Sequence, residues 1–174
     1  MSDYIEQYKI LHKAKEYGVS SHERLSWILP SLEAVNPKRI LDFGCGRSKL
    51  MDILREDFGI ETHRYDPAIP EFEKMPAGSF DLVVNTDVME HIPLGSVNGV
   101  LEEIRAVSDK VYFNICTIKA KQILPNGQNA HCTVKPGKWW KAKLEQFFEE
   151  VWFTKTKKAR DIIFTTFPVK GGKR

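Results

Sequence analysis

The chain has 174 residues, 42% of them hydrophobic and 28% charged, with a formal net charge of +3. This length suits one domain with a sizeable core. No apolar run approaches the roughly 20 residues that a membrane-spanning helix needs, which argues against a membrane protein. The acidic N-terminal stretch lacks an apolar signal sequence, and the three cysteines form no C-x-x-C pair. We therefore expect reduced thiols and a cytoplasmic protein.

Charge is unevenly distributed along the chain. Residues 135–174 carry eleven Lys and Arg against four Asp and Glu, whereas residues 1–134 carry fifteen against nineteen. The basic end suits an anionic partner such as nucleic acid or a phosphorylated substrate. An ordinary solvated lysine-rich face explains the same composition, so both interpretations are open.

The first 36 residues predict two amphipathic helices. Apolar residues recur at helical spacing between residues 4 and 11, and Gly18 suits a helix end. A second apolar stripe runs through residues 25–32, where Pro30 is expected to break or kink the helix.

The segment RILDFGCGRSKL at residues 39–50 predicts a buried strand, a glycine-rich turn and the start of a helix. Gly44 and Gly46 let the backbone turn sharply and bring its N–H groups against a ligand that a Cβ would obstruct. Asp42 precedes this turn by two residues, and Lys49 stands where a dinucleotide-binding fingerprint has its third glycine. The turn therefore predicts a ligand site of a different kind.

A short second strand is predicted at residues 61–65 and is followed by Asp66-Pro67. In α/β nucleotide folds, an acid at the end of the second strand accepts hydrogen bonds from ribose hydroxyls, about 20 residues beyond the glycine turn. Asp66 has this spacing, although an Asp-Pro pair also suits a plain turn. The next segment, 68–79, is too short and too proline-rich for a full helix followed by a strand.

The strand predicted at residues 80–86 leads directly into Asp87-Val88-Met89-Glu90-His91. Ligands in open α/β sheets bind beyond the carboxyl ends of the strands. A helical conformation here would place Asp87, Glu90 and His91 on one face. Titratable side chains are therefore expected at this end of the sheet.

The remaining elements alternate between helix and strand. We predict a helix at 94–107, a strand at 110–116, a long mobile loop at 119–131 that gates the substrate, a helix after Pro136-Gly137, and strands at 150–154 and 161–167. This alternation predicts a mostly parallel sheet flanked by helices.

The motifs LDFGCG, SFDLVV and DVMEH resemble those of class I S-adenosylmethionine-dependent methyltransferases, in particular the methyltransferase type 11 and ubiquinone-pathway O-methyltransferase group. The resemblance implies a Rossmann-like α/β fold whose mostly parallel sheet ends in an antiparallel C-terminal hairpin. It also implies helices covering the site at residues 1–36, a methyltransferase domain at 37–169 and a tail at 170–174.

The resemblance also assigns the cofactor contacts. Asp42 and the glycine turn would hold the methionine end of S-adenosyl-L-methionine, Asp66 the ribose and Glu71 the adenine. The cofactor-binding residues expected in this way are Asp42, Gly44, Cys45, Gly46, Asp66, Glu71 and Asp87.

Three roles are open for the charged motif that follows the third strand. His91, with Glu90, would be the general base, because the ordinary pKa of a histidine lies near the working pH. Alternatively, Asp87, Glu90, His91 and His131 would hold a divalent metal, as the resemblance to ubiquinone-pathway and small-RNA 2′-O-methyltransferases implies. In the third role, these side chains only shape the pocket.

The sequence therefore predicts an S-adenosylmethionine-dependent methyltransferase that acts on an oxygen or nitrogen atom of a small molecule, such as a metabolite, sugar or nucleotide. One alternative is a nucleic-acid methyltransferase that uses the basic C-terminal hairpin. The other is a cofactor-binding protein without transfer activity. The sequence makes no prediction of oligomeric state.

Overall fold

Six strands form a sheet in the computed structural model, which describes residues 2–14 and 17–174. The strands are β1 (Arg39–Phe43), β2 (Glu61–Tyr65), β3 (Leu82–Thr86), β4 (Val111–Cys116), β5 (Trp152–Lys155) and β6 (Asp161–Thr165). Their order across the sheet is β2-β1-β3-β4-β6-β5. The first four are mutually parallel, and β6 runs antiparallel to both β4 and β5.

The parallel strands form because their sequences are nearly continuous apolar runs. Every residue of β3 and β4 is buried, as expected of central strands that are covered on both faces. The predicted α/β class, a mostly parallel sheet with an antiparallel C-terminal hairpin, is confirmed.

Five α-helices accompany these strands in the described part of the chain. They are α1 (Ser2–Ala14), α2 (Leu25–Val35), α3 (Leu50–Phe58), α4 (Val97–Val107) and α5 (Gly137–Leu144). None of the helices in the described residues has the length and apolar character needed to cross a membrane.

Alternate residues of the central strands enter two cores, one on each face of the sheet. Leu41 and Phe113 pack with residues of α4 and α5, including Trp140. Ile40 and Tyr112 pack with residues of α2 and α3. Helices therefore cover both faces of the sheet, and a site can form only at the ends of the strands.

Both predicted N-terminal helices are present. Helix α2 continues through Pro30, where the backbone carbonyl that loses its partner belongs to Ser26, an exposed residue that water can reach. Helix α1 is described over Ser2–Ala14, and the predicted helix end before Gly18 falls partly outside the described residues. Gly18 itself has φ of +70° and packs against Gly46.

The loop predicted at residues 119–131 has internal hydrogen bonds and packs on the first helix. Ile123 and Asn129 form an isolated β-bridge, and the Asn129 side chain bonds to both the N–H and the carbonyl of Ala120. Leu124 and Ala130 are buried against Leu11 of α1. The loop thus packs on the first helix, and the two together cover the end of the sheet.

Candidate functional site

A first cavity lies where β1, β2 and β3 end. Its volume is about 210 Å³. Apolar side chains such as Phe43, Tyr65 and Val88 form most of its wall, and Asp66 and Asp87 are its buried or half-buried acids. From the N-terminal side the cavity is lined by Ile5, Tyr8, His12, Tyr17 and Gly18.

The glycine turn borders this cavity in left-handed backbone conformations, with φ of +81° at Gly44 and +53° at Gly46. A Cβ at Gly44 would lie 2.4 Å from a methyl group of Val88, and one at Gly46 would lie 2.3 Å from the carbonyl oxygen of Gly18. The N–H of Arg47 donates to that same carbonyl at 2.9 Å. The glycines therefore let two other segments pack closely around the turn.

The N–H groups of the turn do not point at a ligand, contrary to the prediction. Those of Gly44 and Cys45 both donate to the carbonyl oxygen of Tyr65, at 2.7 and 3.1 Å. That of Gly46 donates to Asp66 Oδ2 at 3.0 Å. Tyr65 and Asp66, at the end of β2, lie so close to the turn that they accept all three hydrogen bonds. The turn therefore shapes the cavity wall and does not donate to a ligand.

Asp66 lies at the cavity, as its spacing predicts. Its side chain is buried and accepts two backbone hydrogen bonds, from Gly46 and, at 2.9 Å through Oδ1, from Ala68. A carboxylate oxygen has two lone pairs, so each oxygen retains one for another donor. Asp66 therefore fixes the turn and remains able to accept a hydrogen bond from a ligand hydroxyl.

Asp42 and Cys45 belong to the cofactor set expected from the resemblance, but neither side chain lines either cavity described here. Asp42 is fully buried within the sheet, and its two oxygens have no hydrogen-bond partner among the described residues. Burial raises the pKa of Asp42 to about 7, although the nearby Arg64 opposes the shift. Cys45 is also buried, and its thiol donates to the carbonyl of Gly46.

The raised pKa of Asp42 predicts a pH-dependent stability. The native carboxyl binds its proton more tightly than the unfolded one, so the free energy of unfolding should fall between about pH 4 and pH 7, as the buried group ionises. Thermal unfolding from pH 4.5 to 8 should show Asp42→Asn removing ~1–3 kcal/mol of this fall. The exposed control, Asp57→Asn, should keep the wild-type profile, and an unchanged profile in Asp42→Asn would contradict the assignment.

Glu71 does not line the first cavity, contrary to its predicted adenine contact. It lies in the 3₁₀ turn Pro70–Phe72, and its exposed side chain borders a separate surface hollow beside Arg64 and Phe72. The turn is fixed by a hydrogen bond from the Asp66 N–H to the Phe72 carbonyl at 2.9 Å. Because this segment is so short, its acid faces solvent.

A second, more polar cavity of about 310 Å³ adjoins the first. The two share Tyr17, Gly18, Gly44, Asp87 and His91 as lining residues. The polar residues that only the second cavity has include Ser21, Arg24, Thr86, Glu90, Cys116, Lys119, Lys121, Gln122, His131, Arg160 and Asp161. The two cavities therefore adjoin, and these shared residues form the boundary between them.

Asp87 is held at this boundary by an arginine that no sequence motif indicated. Its backbone has φ of +54°, and its N–H donates to the Asn114 carbonyl at 2.9 Å. Arg24 donates to Asp87 Oδ2 at 2.9 Å and to Asn114 Oδ1 at 3.3 Å, and only 7% of Arg24 is exposed. Burial raises the pKa of Asp87, and the Arg24 guanidinium offsets part of that shift.

Glu90 is completely buried beside the second cavity. Its Oε1 accepts the N–H of Cys116 at 2.9 Å, whereas its Oε2 has no partner among the described residues. Burial, followed by the nearby Asp87 carboxyl, raises the pKa of Glu90 well above its ordinary value. The group is therefore poised nearer to neutrality than an exposed glutamate.

His91 has different hydrogen-bond partners from Glu90. Residues Met89–His91 form a 3₁₀ turn rather than an α-helix, and Asp87, Glu90 and His91 all line the second cavity. His91 Nδ1 lies 3.0 Å from the Ala130 carbonyl and 2.7 Å from the Tyr8 hydroxyl, which itself donates to that carbonyl at 2.9 Å. Burial lowers the pKa of His91 to about 3, so the imidazole is neutral and weakly basic.

The four predicted metal ligands all line the second cavity, but their ligand atoms do not form one close set. Asp87 is paired with Arg24, and His91 Nδ1 contacts Ala130 and Tyr8. Within the described residues, the possible ligand atoms that lie within 4.8 Å of one another belong instead to Glu90, Cys116 and His131. The four-residue set therefore does not fit a metal ion, and no catalytic step is assigned to one.

Comparison with known proteins places this architecture in a family. A family model described as a methyltransferase domain matches residues 12–155. The match covers most of the chain, which therefore belongs to this family, the class I S-adenosylmethionine-dependent methyltransferases. No curated protein sequence matches the chain significantly.

Solved structures share the fold at low sequence identity. A DhpI complex with S-adenosylhomocysteine (SAH) has a TM-score of 0.60 at 14% identity, over 95% of this chain and 97% of that one. The methyltransferase domain of bacterial CtHen1 has a TM-score of 0.62 at 15% identity, over 83% and 96%. An O-methyltransferase family protein from Burkholderia thailandensis has 0.55 at 13%, over 87% of this chain but only 57% of its own length.

The first cavity fits the cofactor of this family. It is bordered by a turn in which Cβ atoms would collide with neighbouring segments, and it has Asp66 at its wall with acceptor capacity to spare. Its apolar side chains suit the adenine ring and the methionine chain. Of the cofactor residues expected from sequence, Gly44, Gly46, Asp66 and Asp87 line this cavity, whereas Asp42, Cys45 and Glu71 do not.

Proposed function

We propose that the chain transfers the methyl group of S-adenosyl-L-methionine to an oxygen or nitrogen atom of a small polar molecule in the second cavity. The observation that carries the proposal is the boundary between the cavities, where Asp87 and His91 line both. A cofactor in the first cavity and an acceptor in the second would meet at this boundary. The volume of the second cavity, about 310 Å³, suits a small molecule.

The chemistry of the cofactor leaves the protein few tasks. A sulfonium methyl is an activated electrophile, and its transfer needs an acceptor held in line with the carbon–sulfur bond. Gly44 and Gly46 shape the cofactor cavity, and Asp66 accepts from a ribose hydroxyl. Arg24 fixes Asp87 beside the reacting groups through its hydrogen bond at 2.9 Å.

Glu90 is the better proton acceptor of the two catalytic residues predicted. Its Oε2 has no partner among the described residues, and Glu90 lines the acceptor cavity. Its raised pKa makes its carboxylate more basic than usual. His91, with a pKa near 3, is too weak a base for this step. We assign it to holding the Tyr8 hydroxyl and the Ala130 carbonyl at the cavity wall.

The test compares Glu90→Gln with Glu102→Gln, an exposed residue that lines neither cavity. Labelled S-adenosylmethionine and a panel of hydroxylated and amine-bearing metabolites would identify an acceptor. Glu90→Gln should slow transfer by about 10²–10⁴-fold without changing SAH affinity, while Glu102→Gln should behave as the wild type. Wild-type turnover in Glu90→Gln would contradict the assigned role.

A further inference from the structure

The second cavity has two chemically different ends. Lys119, Lys121 and Arg160 are exposed lining residues, and we call them the cationic mouth. Glu90 and Asp161 are lining residues that are 0% and 2% exposed, and we call them the carboxyl floor.

The cationic mouth is available to a ligand. Neither the Lys119 nor the Lys121 side chain makes a hydrogen bond or an ion pair with another residue of the described chain. Arg160 has one weak ion pair, with its Nε 3.7 Å from Asp161 Oδ1, and its side chain is 45% exposed. Three cations around one opening favour an anionic group on the ligand.

The carboxyl floor favours a hydrogen-bond donor and not an anion. Glu90 Oε2 and Asp161 Oδ2 are buried without a hydrogen-bond partner among the described residues. Unpartnered buried acceptors are costly, so a ligand group that donates to these oxygens would bind favourably. A second anion would be repelled here, whereas a hydroxyl or an amine supplies the missing donor.

We propose that the acceptor is a small anionic polyol or amino alcohol, with a phosphate or carboxylate at the cationic mouth and the hydroxyl or amine to be methylated at the carboxyl floor. This inference rests on the proposed function, because it makes the second cavity the acceptor site. The floor adjoins Asp87 and His91, the residues shared with the first cavity. The methyl group therefore goes to the donor end, and the anionic end serves as a binding handle.

The transfer balances without another reactant. The acceptor oxygen or nitrogen forms a bond to the methyl carbon as the carbon–sulfur bond breaks, and the electron pair of that bond stays on the sulfur. The proton released from the acceptor passes to the Glu90 carboxylate. The products are the methyl ether or methylamine and S-adenosylhomocysteine, with the phosphate or carboxylate unmodified.

Calorimetric titration of the SAH-loaded protein with ribose 5-phosphate, gluconate and ribose tests the inference. The phosphate and carboxylate probes separate the two possible anions, and ribose lacks both. At least one anionic probe should bind, with a dissociation constant on the order of 1 mM or below, and ribose at least ~10-fold more weakly. Equal binding of ribose, or no binding of either anion, would overturn the inference.

Matched variants locate the anion site. Lys119→Ala combined with Lys121→Ala should weaken binding of the anionic probe about tenfold or more, equivalent to ~1.4 kcal/mol. Lys155→Ala combined with Lys157→Ala removes the same charge from exposed positions outside the cavity and should leave binding unchanged. Equal losses in both double variants would overturn the cationic mouth.

Two further outcomes distinguish the inference from its competitors. A single-stranded oligonucleotide that binds more tightly than either small anion, and that depends on Lys155 and Lys157, would replace it with a nucleic-acid acceptor. Absence of SAH binding would contradict the proposed function but not the anion site. The anion titration of the unloaded protein would then still decide, through the same lysine comparison, whether the cavity takes an anion.

Discussion

Replacement of Gly46 by alanine is expected to weaken SAH binding about a hundredfold, because the new Cβ combines backbone strain with a collision. Gly46 has φ of +53°, and a Cβ there would lie 2.3 Å from the carbonyl oxygen of Gly18. Gly46 and Gly18 both line the first cavity. Relieving the collision must therefore move either the glycine turn or the segment that contains Gly18. Either movement also disturbs the hydrogen bond from Gly46 to Asp66.

Gly59→Ala is the matched control for this prediction. Gly59 has φ of +66°, but a Cβ there would meet nothing within 4 Å. It should therefore carry the strain of a left-handed alanine, ~1–2 kcal/mol of stability, without loss of SAH affinity. Calorimetry and thermal unfolding of both variants separate the two effects, and equal SAH affinities for the two variants would contradict the proposed wall.

Removal of the Arg24 side chain is expected to lower the free energy of unfolding by about 2–3 kcal/mol. Arg24→Ala leaves the Asp87 carboxylate without its ion pair at 2.9 Å and Asn114 Oδ1 without a donor. Breaking a fully buried pair costs ~3–5 kcal/mol, and we expect less because the Asp87 side chain retains 24% exposure. Chemical unfolding at pH 7 measures the difference.

An exposed ion pair provides the control for Arg24. Arg55 lies 2.9 Å from Asp52, with side-chain exposures of 56% and 35%, so Arg55→Ala should cost less than ~1 kcal/mol. Asp87→Asn in the Arg24→Ala background should recover part of the lost stability, because the uncompensated charge is then gone. Equal effects of Arg24→Ala and Arg55→Ala would show that the buried pair does not hold Asp87.

The fold could be predicted because its signals are local. The runs in β3 and β4 are apolar at nearly every position, which indicates strands covered on both faces. The short segment after Asp66 was correctly predicted to lack a further strand. Pro30 was expected to break or kink α2, and the helix continues through it. Whether a proline breaks a helix depends on the burial of the carbonyl one turn earlier, here that of the exposed Ser26.

The site could be predicted only where spacing along the chain determines position. Asp66 lies at the cavity because it follows the second strand directly, and parallel strands end at the same edge. The direction of the N–H groups in the glycine turn depends on Tyr65, a neighbour in space that takes two of them. Arg24 was missed because its partners, Asp87 and Asn114, lie 63 and 90 residues away.

Calorimetric titration of the wild-type protein and Asp66→Ala with SAH tests whether the cavity beside the glycine turn holds the cofactor. We expect one SAH bound per chain with micromolar affinity. We also expect affinity to fall about tenfold or more in Asp66→Ala, equivalent to ~1.4 kcal/mol, since that variant lacks the acceptor for the ribose hydroxyls. No binding to the wild type, or equal affinity in the variant, would contradict this cofactor site.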